Sequence, residues 1–89
     1  MAQKTVYSVY VLRSGYDGSY YVGNTGKDVQ ERLIRHNSGD CRYTKGRRPW
    51  EIVFCKKYGT RAEAVKRERF LKTGVGRQEL KQRVAVKVT

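Results

Sequence analysis

Eighty-nine residues with 20 Lys and Arg against 8 Asp and Glu leave a formal charge of +12. A chain this short buries only about 60–65% of its unfolded surface and supports one small core. With 38% hydrophobic residues and a single proline, it suits a compact fold better than disorder. No apolar run approaches the roughly 20 residues that cross a bilayer, and the N-terminal MAQKTVYSVYVLRS lacks the unbroken apolar stretch of a signal peptide. One cytoplasmic domain over residues 1–89 is expected, with its core over 5–82 and a frayed C-terminal tail.

In chain order, TVYSVYVLR is rich in β-branched and aromatic residues without a helical stripe, so Val6 to Arg13 reads as a strand. Ser14, Gly15, Tyr16, Asp17 and Gly18 make a turn, and SYYVGN returns as a second strand. A hairpin register placing Tyr10 opposite Tyr21 puts both rings on one face. Asp28 with Glu31 resembles a capping box, and Gly39 is a C-terminal stop, giving a helix over 28–37 whose inner stripe is Val29, Leu33 and His36. Arg32 borders that stripe, one turn before His36. RYTKGRRPW reads as a basic loop feeding a third strand, WEIVFCKKY. Thr60 and Glu63 form a second capping box, Gly74 is expected to stop that helix, and a last short helix is expected over GRQELKQRV.

The charge is lopsided. Residues 1–41 carry five bases against four acids, whereas residues 42–89 carry fifteen against four, a net of +11. Such a field favours a polyanion, with binding that weakens steeply as salt rises; a merely soluble basic surface or a ribosome-associated protein is the plainer alternative. Cys41 and Cys55 form no CxxC pair and, with one histidine in the chain, no convincing zinc set, so both read as free thiols.

Glu68 is the least expected residue. Ala64, Glu68 and Leu71 fall at i, i+4 and i+7, which puts a carboxylate on or beside the apolar stripe, where it needs an arginine, a hydrogen-bond network or a metal ion. Taken singly, the hairpin tyrosines read as amphipathic packing, His36 as a satisfied core histidine, Arg32 as a solvated helix residue and Glu68 as half of an ion pair. Together they place phenols, a guanidinium, an imidazole and a carboxylate in a protein suited to polyphosphate.

These stretches resemble the GIY-YIG endonucleases, especially their small single-domain bacterial (UPF0213-like) group. Val9–Tyr10–Val11 stands in the place of GIY and Tyr21–Val22–Gly23 in the place of YIG; ERLIRHNSG supplies Arg32 and His36, RYTKGRRPWEIVF the basic loop and third strand, and EAVKRERFLK the glutamate helix. The resemblance covers residues 5–82 and implies an α/β (α+β) fold, a three-stranded antiparallel sheet flanked by helices. It also implies hydrolysis of DNA phosphodiesters with one Mg²⁺ or Mn²⁺ held by Glu68. Arg32 then stabilises phosphoryl charge, and Tyr10 orients or deprotonates water with Tyr21 and His36 assisting. His36 is itself an alternative base. Some relatives use an asparagine beyond the glutamate; none stands there in this chain, so that role is either absent or filled by another group, with Lys72 a candidate. Expected phosphate contacts are Arg35, Arg42, Lys45, Arg47, Arg48, Lys56, Lys57 and Lys72. Tyr43 is a candidate for base stacking, while Trp50 reads first as core. Branched, nicked or single-stranded DNA is the expected target class. The alternative is a catalytically weak module binding DNA or RNA through the same basic face.

Overall fold

The computed structural model describes residues 6–88, with side chains described for residues 6–82. Strand β1 (Tyr7–Ser14) is followed by β2 (Tyr20–Thr25), helix α1 (Val29–Ser38), a 3-10 turn (Lys45–Arg47), β3 (Trp50–Tyr58), α2 (Arg61–Leu71) and α3 (Gly74–Val88). The strands form one antiparallel sheet in the order β2-β1-β3, the expected α+β architecture. Covered by helices on both faces, β1 buries Val9, Tyr10, Val11 and Leu12 completely. That is why its apolar run is continuous rather than alternating.

Alternation along β1 divides the core into two layers. Tyr10 and Leu12 pack with Trp50, Tyr21, Ile52 and the Val29 and Leu33 side chains of α1. Val9 and Val11 face the other way, with Val22, against Ala64 and Leu71 of α2 and Leu80 of α3. Each layer stabilises the sheet mainly by removing apolar surface from water.

The hairpin register corrects the expectation. Tyr10 lies opposite Gly23 and Leu12 opposite Tyr21, two residues from the pairing of Tyr10 with Tyr21. The turn explains the shift: the Ser14 N–H donates to the Ser19 carbonyl (2.8 Å), which closes the hairpin between those two residues. The Ser14 hydroxyl accepts from the N–H groups of Tyr16 and Asp17 and donates to the Arg47 carbonyl at 2.6 Å. Because a slip of two keeps side-chain parity, Tyr10 and Tyr21 still share a face.

Both helix starts follow their sequence signals. The Asp28 carboxylate accepts from the Gln30 N–H, and Gly39 (φ 89°) closes α1 by donating its N–H to the Arg35 carbonyl. The Thr60 hydroxyl accepts from the Glu63 N–H and donates to the Glu63 carboxylate (3.0 Å). Gly74 is not the expected stop. Helix α2 ends at Leu71 with Lys72 as its cap, and Gly74 opens α3. Thr73 starts that helix, its hydroxyl accepting from the Gly76 N–H (3.1 Å) and its carbonyl from the Arg77 N–H. Helix α3 is also longer than the expected GRQELKQRV segment and runs through residues expected to fray; their side chains, and Thr89, lie outside the described residues.

Gly76 sets how closely α3 folds back on α2. A Cβ there would meet the Phe70 carbonyl oxygen at 2.0 Å and Leu71 Cα at 2.7 Å, backbone atoms that no rotamer change can move. Gly76→Ala is therefore expected to destabilise the protein by about 3 kcal/mol or more and to lower its Tm by roughly 12 °C or more. Gly74→Ala, with open space at its Cβ, is expected to melt at or above the wild-type temperature. Equal melting of wild type and Gly76→Ala would contradict this packing.

Candidate active site

The inner stripe of α1 ends on His36, which is only 1% exposed, and delivers its imidazole to the Tyr10 hydroxyl (Oη to Nε2, 3.2 Å). The other ring nitrogen, Nδ1, lies 2.8 Å from Oγ1 of the fully buried Thr44. The Thr44 hydroxyl also lies 3.4 Å from the Cys41 carbonyl. In the tautomer whose Nδ1–H donates to Thr44, Nε2 is bare and can accept the Tyr10 proton. Burial, then the charges of Arg32 and Arg35, lower the His36 pKa and keep the ring neutral.

A pH dependence follows. Above about pH 6.5 the imidazole is neutral in both folded and unfolded chains. As pH falls through that value, the unfolded chain takes up a proton that the buried ring refuses, so stability declines until the lowered folded pKa is passed. The slope is at most about 1.4 kcal/mol per pH unit for one proton. Since His36 is the only histidine in the chain, Tm measured from pH 8 to 5 is expected to fall below pH 6.5 in wild type, with that part of the decline missing from His36→Gln. Parallel curves would rule it out.

Tyr21 stands over this pair, its ring 6.4 Å from that of Tyr10, 4.9 Å from that of His36 and 5.9 Å from that of Tyr43. Burial, then Tyr10, raises its pKa, so its hydroxyl stays protonated. Gly23 makes the stack possible: a Cβ there would lie 2.7 Å from the Tyr10 ring and hydroxyl and 3.1 Å from the Tyr21 ring. Trp50 is core, 5% exposed, with its indole N–H donating to the Thr44 carbonyl (2.9 Å). Asn37 clamps the Trp50 backbone by accepting from its N–H (2.6 Å) and donating to its carbonyl (3.0 Å).

Arg32 flanks the Tyr10 hydroxyl, and that neighbour raises the guanidinium's pKa. Its Nε is buried without a hydrogen-bond partner among the described residues. Because β2 is an edge strand, α1 and α2 meet beyond it around a cleft of about 520 Å³. Arg32, Arg35, Lys27 and Asn24 line it, together with Arg61 of α2. Arg61 and Lys27 were not singled out from the sequence, because nothing local brings the first turn of α2 to the start of α1.

Glu68 comes to the same edge from the opposite face of the sheet. Its Oε1 accepts from the Asn24 side-chain amide and its Oε2 from Lys72 Nζ (2.6 Å). The structure thus gathers Tyr10, Tyr21, Arg32 and His36 in one cluster, with Glu68 beside it rather than in it, although the Glu68 charge still acts on Tyr21. The side-chain amide beside Glu68 belongs to Asn24, which the sequence reading did not single out; its signal is parity, since alternate residues after Val22 turn toward α2. Lys72 is instead an ion-pair partner of Glu68.

Among the described residues no three His, Cys, Asp or Glu side chains cluster as a metal cage. Glu68 offers the hard oxygen donor that a Mg²⁺- or Mn²⁺-like ion takes, since such ions are held by one or two carboxylates with water and substrate phosphate. Its two oxygens are engaged by Asn24 and Lys72, so Lys72 would have to give way to an ion.

The basic loop is partly engaged within the protein. Arg47 pairs with Asp17 (3.1 Å), whose pKa is lowered to about 2 chiefly by hydrogen bonds from Ser19. Arg48 donates to the Lys45 carbonyl (2.9 Å) and the Asn37 carbonyl (3.4 Å). Lys56 lies over the Tyr58 ring. Arg42, Tyr43, Lys45 and Lys57 are exposed. Cys41 and Cys55 are free thiols, as expected.

The model of the GIY-YIG catalytic domain matches residues 6–81. The chain belongs to the GIY-YIG family. A UPF0213 protein of Staphylococcus epidermidis is 47% identical over 74 residues, 82% of this chain and 88% of that protein. One of Staphylococcus aureus is 42% identical over the same length. The solution structure of a UPF0213 protein from Bacillus halodurans superposes with a TM-score of 0.53 at 32% identity, over 86% of this chain and 83% of that one. GIY-YIG domains are nuclease domains acting on nucleic acid, generally with a divalent metal ion. Among the described residues no helix is long and apolar enough to cross a membrane.

Proposed function

We propose that this GIY-YIG protein is a metal-dependent DNA endonuclease whose site lies along the β2 edge. The observation that carries this reading is the Tyr10–His36–Thr44 chain, in which an imidazole bridges a phenol and a hydroxyl beside a guanidinium with a buried nitrogen unpartnered among the described residues. Glu68 would hold the metal with Asn24 steadying its carboxylate, and the ion supplies Lewis-acid stabilisation of phosphate oxygens when bound.

The other residues act as a proton and charge relay. Arg32 offers its fork of donors to the phosphoryl oxygens, where charge grows in the transition state. Tyr10 has no exposed surface, so it meets an attacking water only after the Arg32 side chain moves onto the phosphate. Tyr10 then takes the water's proton while passing its own to His36 Nε2. The resulting hydroxide displaces the leaving ester oxygen from phosphorus, and that oxygen takes a proton from bulk water. Phenol and imidazole work in series, which joins the two candidate bases in one path. Tyr21, protonated, orients the phosphate or the water. Lys27, Arg35 and Arg61 hold the flanking phosphates.

End-labelled DNA incubated with the protein and Mg²⁺ or Mn²⁺ is expected to yield cleavage products that chelation with EDTA abolishes. One observation favours a second reading, a nucleic-acid-binding module with little turnover: both Glu68 oxygens are already engaged. Salt-sensitive DNA binding with no product under either metal would select it and reject the endonuclease.

A further inference from the structure

Tyr43 is 75% exposed, yet it is carried on a firmly anchored segment. The next residue, Thr44, is fully buried, bonds to His36 through its side chain, and accepts from the Trp50 indole through its carbonyl. Its N–H and that of Lys45 both donate to the Cys41 carbonyl (3.2 and 3.0 Å). One side of the Tyr43 ring approaches Tyr21, 5.9 Å away; most of the rest faces solvent. A large aromatic left in water gains nothing from burial, and here it stands beside the proposed catalytic cluster between the exposed cations Arg42 and Lys45.

We propose that Tyr43 is a stacking platform for an unpaired nucleobase next to the scissile phosphate. The inference rests on the nuclease reading and names its substrate class: DNA with at least one base out of the duplex at the cleavage site, as in a single strand, a flap or a mismatch. A paired base keeps its faces inside the helix and presents only an edge, so a flat exposed ring has nothing to stack on. An unpaired base offers a face that any sequence supplies. Arg42 and Lys45 hold the backbone on either side. The rigid anchoring matters because a platform ordered before binding loses little conformational freedom when the base arrives.

The test uses single-stranded oligonucleotides carrying the fluorescent base 2-aminopurine at successive positions, bound without metal, with cleavage measured in parallel. In wild type one position is expected to be quenched on binding. Tyr43→Phe and Tyr43→Trp keep the quench, whereas Tyr43→Ala loses it and binds single strands about tenfold or more weakly. The ratio of single-strand to duplex cleavage in Tyr43→Ala should fall by a similar factor. If no position is quenched, or Tyr43→Ala keeps both quench and ratio, the platform is refuted. Tyr43-dependent quenching without any cleavage would support the platform and reject the nuclease reading. Cleavage without Tyr43-dependent quenching would do the reverse.

Discussion

Replacing Glu68 with glutamine is expected to lower metal-dependent cleavage by about two to four orders of magnitude, the several kcal/mol that a Lewis acid contributes at a phosphoryl centre. The fold should hardly notice. Glutamine keeps the shape and an acceptor for the Asn24 amide, and the lost pair with Lys72 is worth at most about 1 kcal/mol, because that lysine is 52% exposed. DNA binding should persist or tighten, since the change removes a negative charge from a cationic edge. Metal binding gives a readout independent of turnover: Mn²⁺ should raise the Tm of wild type and leave that of Glu68→Gln unmoved. Cleavage by Glu68→Gln within tenfold of wild type would place the metal on another group.

Arg32→Lys is expected to reduce kcat by about 10²- to 10³-fold, as removal of a preorganised donor to a developing oxyanion does, with a smaller change in KM. Lysine keeps the charge and loses the fork. The stability readout separates this from a structural role. A buried Nε without a partner costs about 1–3 kcal/mol, so a variant lacking that atom should melt at the wild-type temperature or above. A residue kept against stability is one that function retains. An unchanged kcat, or a rate loss that only tracks a lower Tm, would argue that Arg32 is a packing residue.

Much of the architecture was legible because it is local. The caps at Asp28 and Thr60 are hydrogen bonds spanning two or three residues, and Gly39 marks the end of α1 by a backbone angle that glycine adopts freely. The β-branched and aromatic run from Val6 to Arg13 announced a strand, whose central place in the sheet only the structure showed. Cap chemistry was misread at Gly74, where a glycine after a helix looked like a terminator; the hydroxyl of Thr73, a cap for the next helix, was the signal passed over.

The candidate site was legible in its residues more than in its geometry. Tyr10, Tyr21, Arg32, His36 and Glu68 were marked by residue type together with the resemblance to the family, and parity alone placed the two tyrosines on one face. Their exact neighbours were not readable, because these are set by contacts between distant parts of the chain. Tyr10 meets His36 across 26 positions and Asn24 meets Glu68 across 44. Gly23 is required by the ring of Tyr10, which lies opposite only because Ser14 closes the turn onto Ser19.

By itself, then, the sequence determined strands, the starts of α1 and α2 and the basic half, all consequences of propensity, capping and charge that act within a few residues, and it supplied the candidate side chains by type and family resemblance. Only the tertiary structure decided which amide steadies Glu68, that the acid reaches the β2 edge from the opposite face, and that Tyr10 is covered while Tyr43 is not. Those outcomes depend on hairpin register and on how two helices close over the edge of one strand, and both are settled by packing across the sheet.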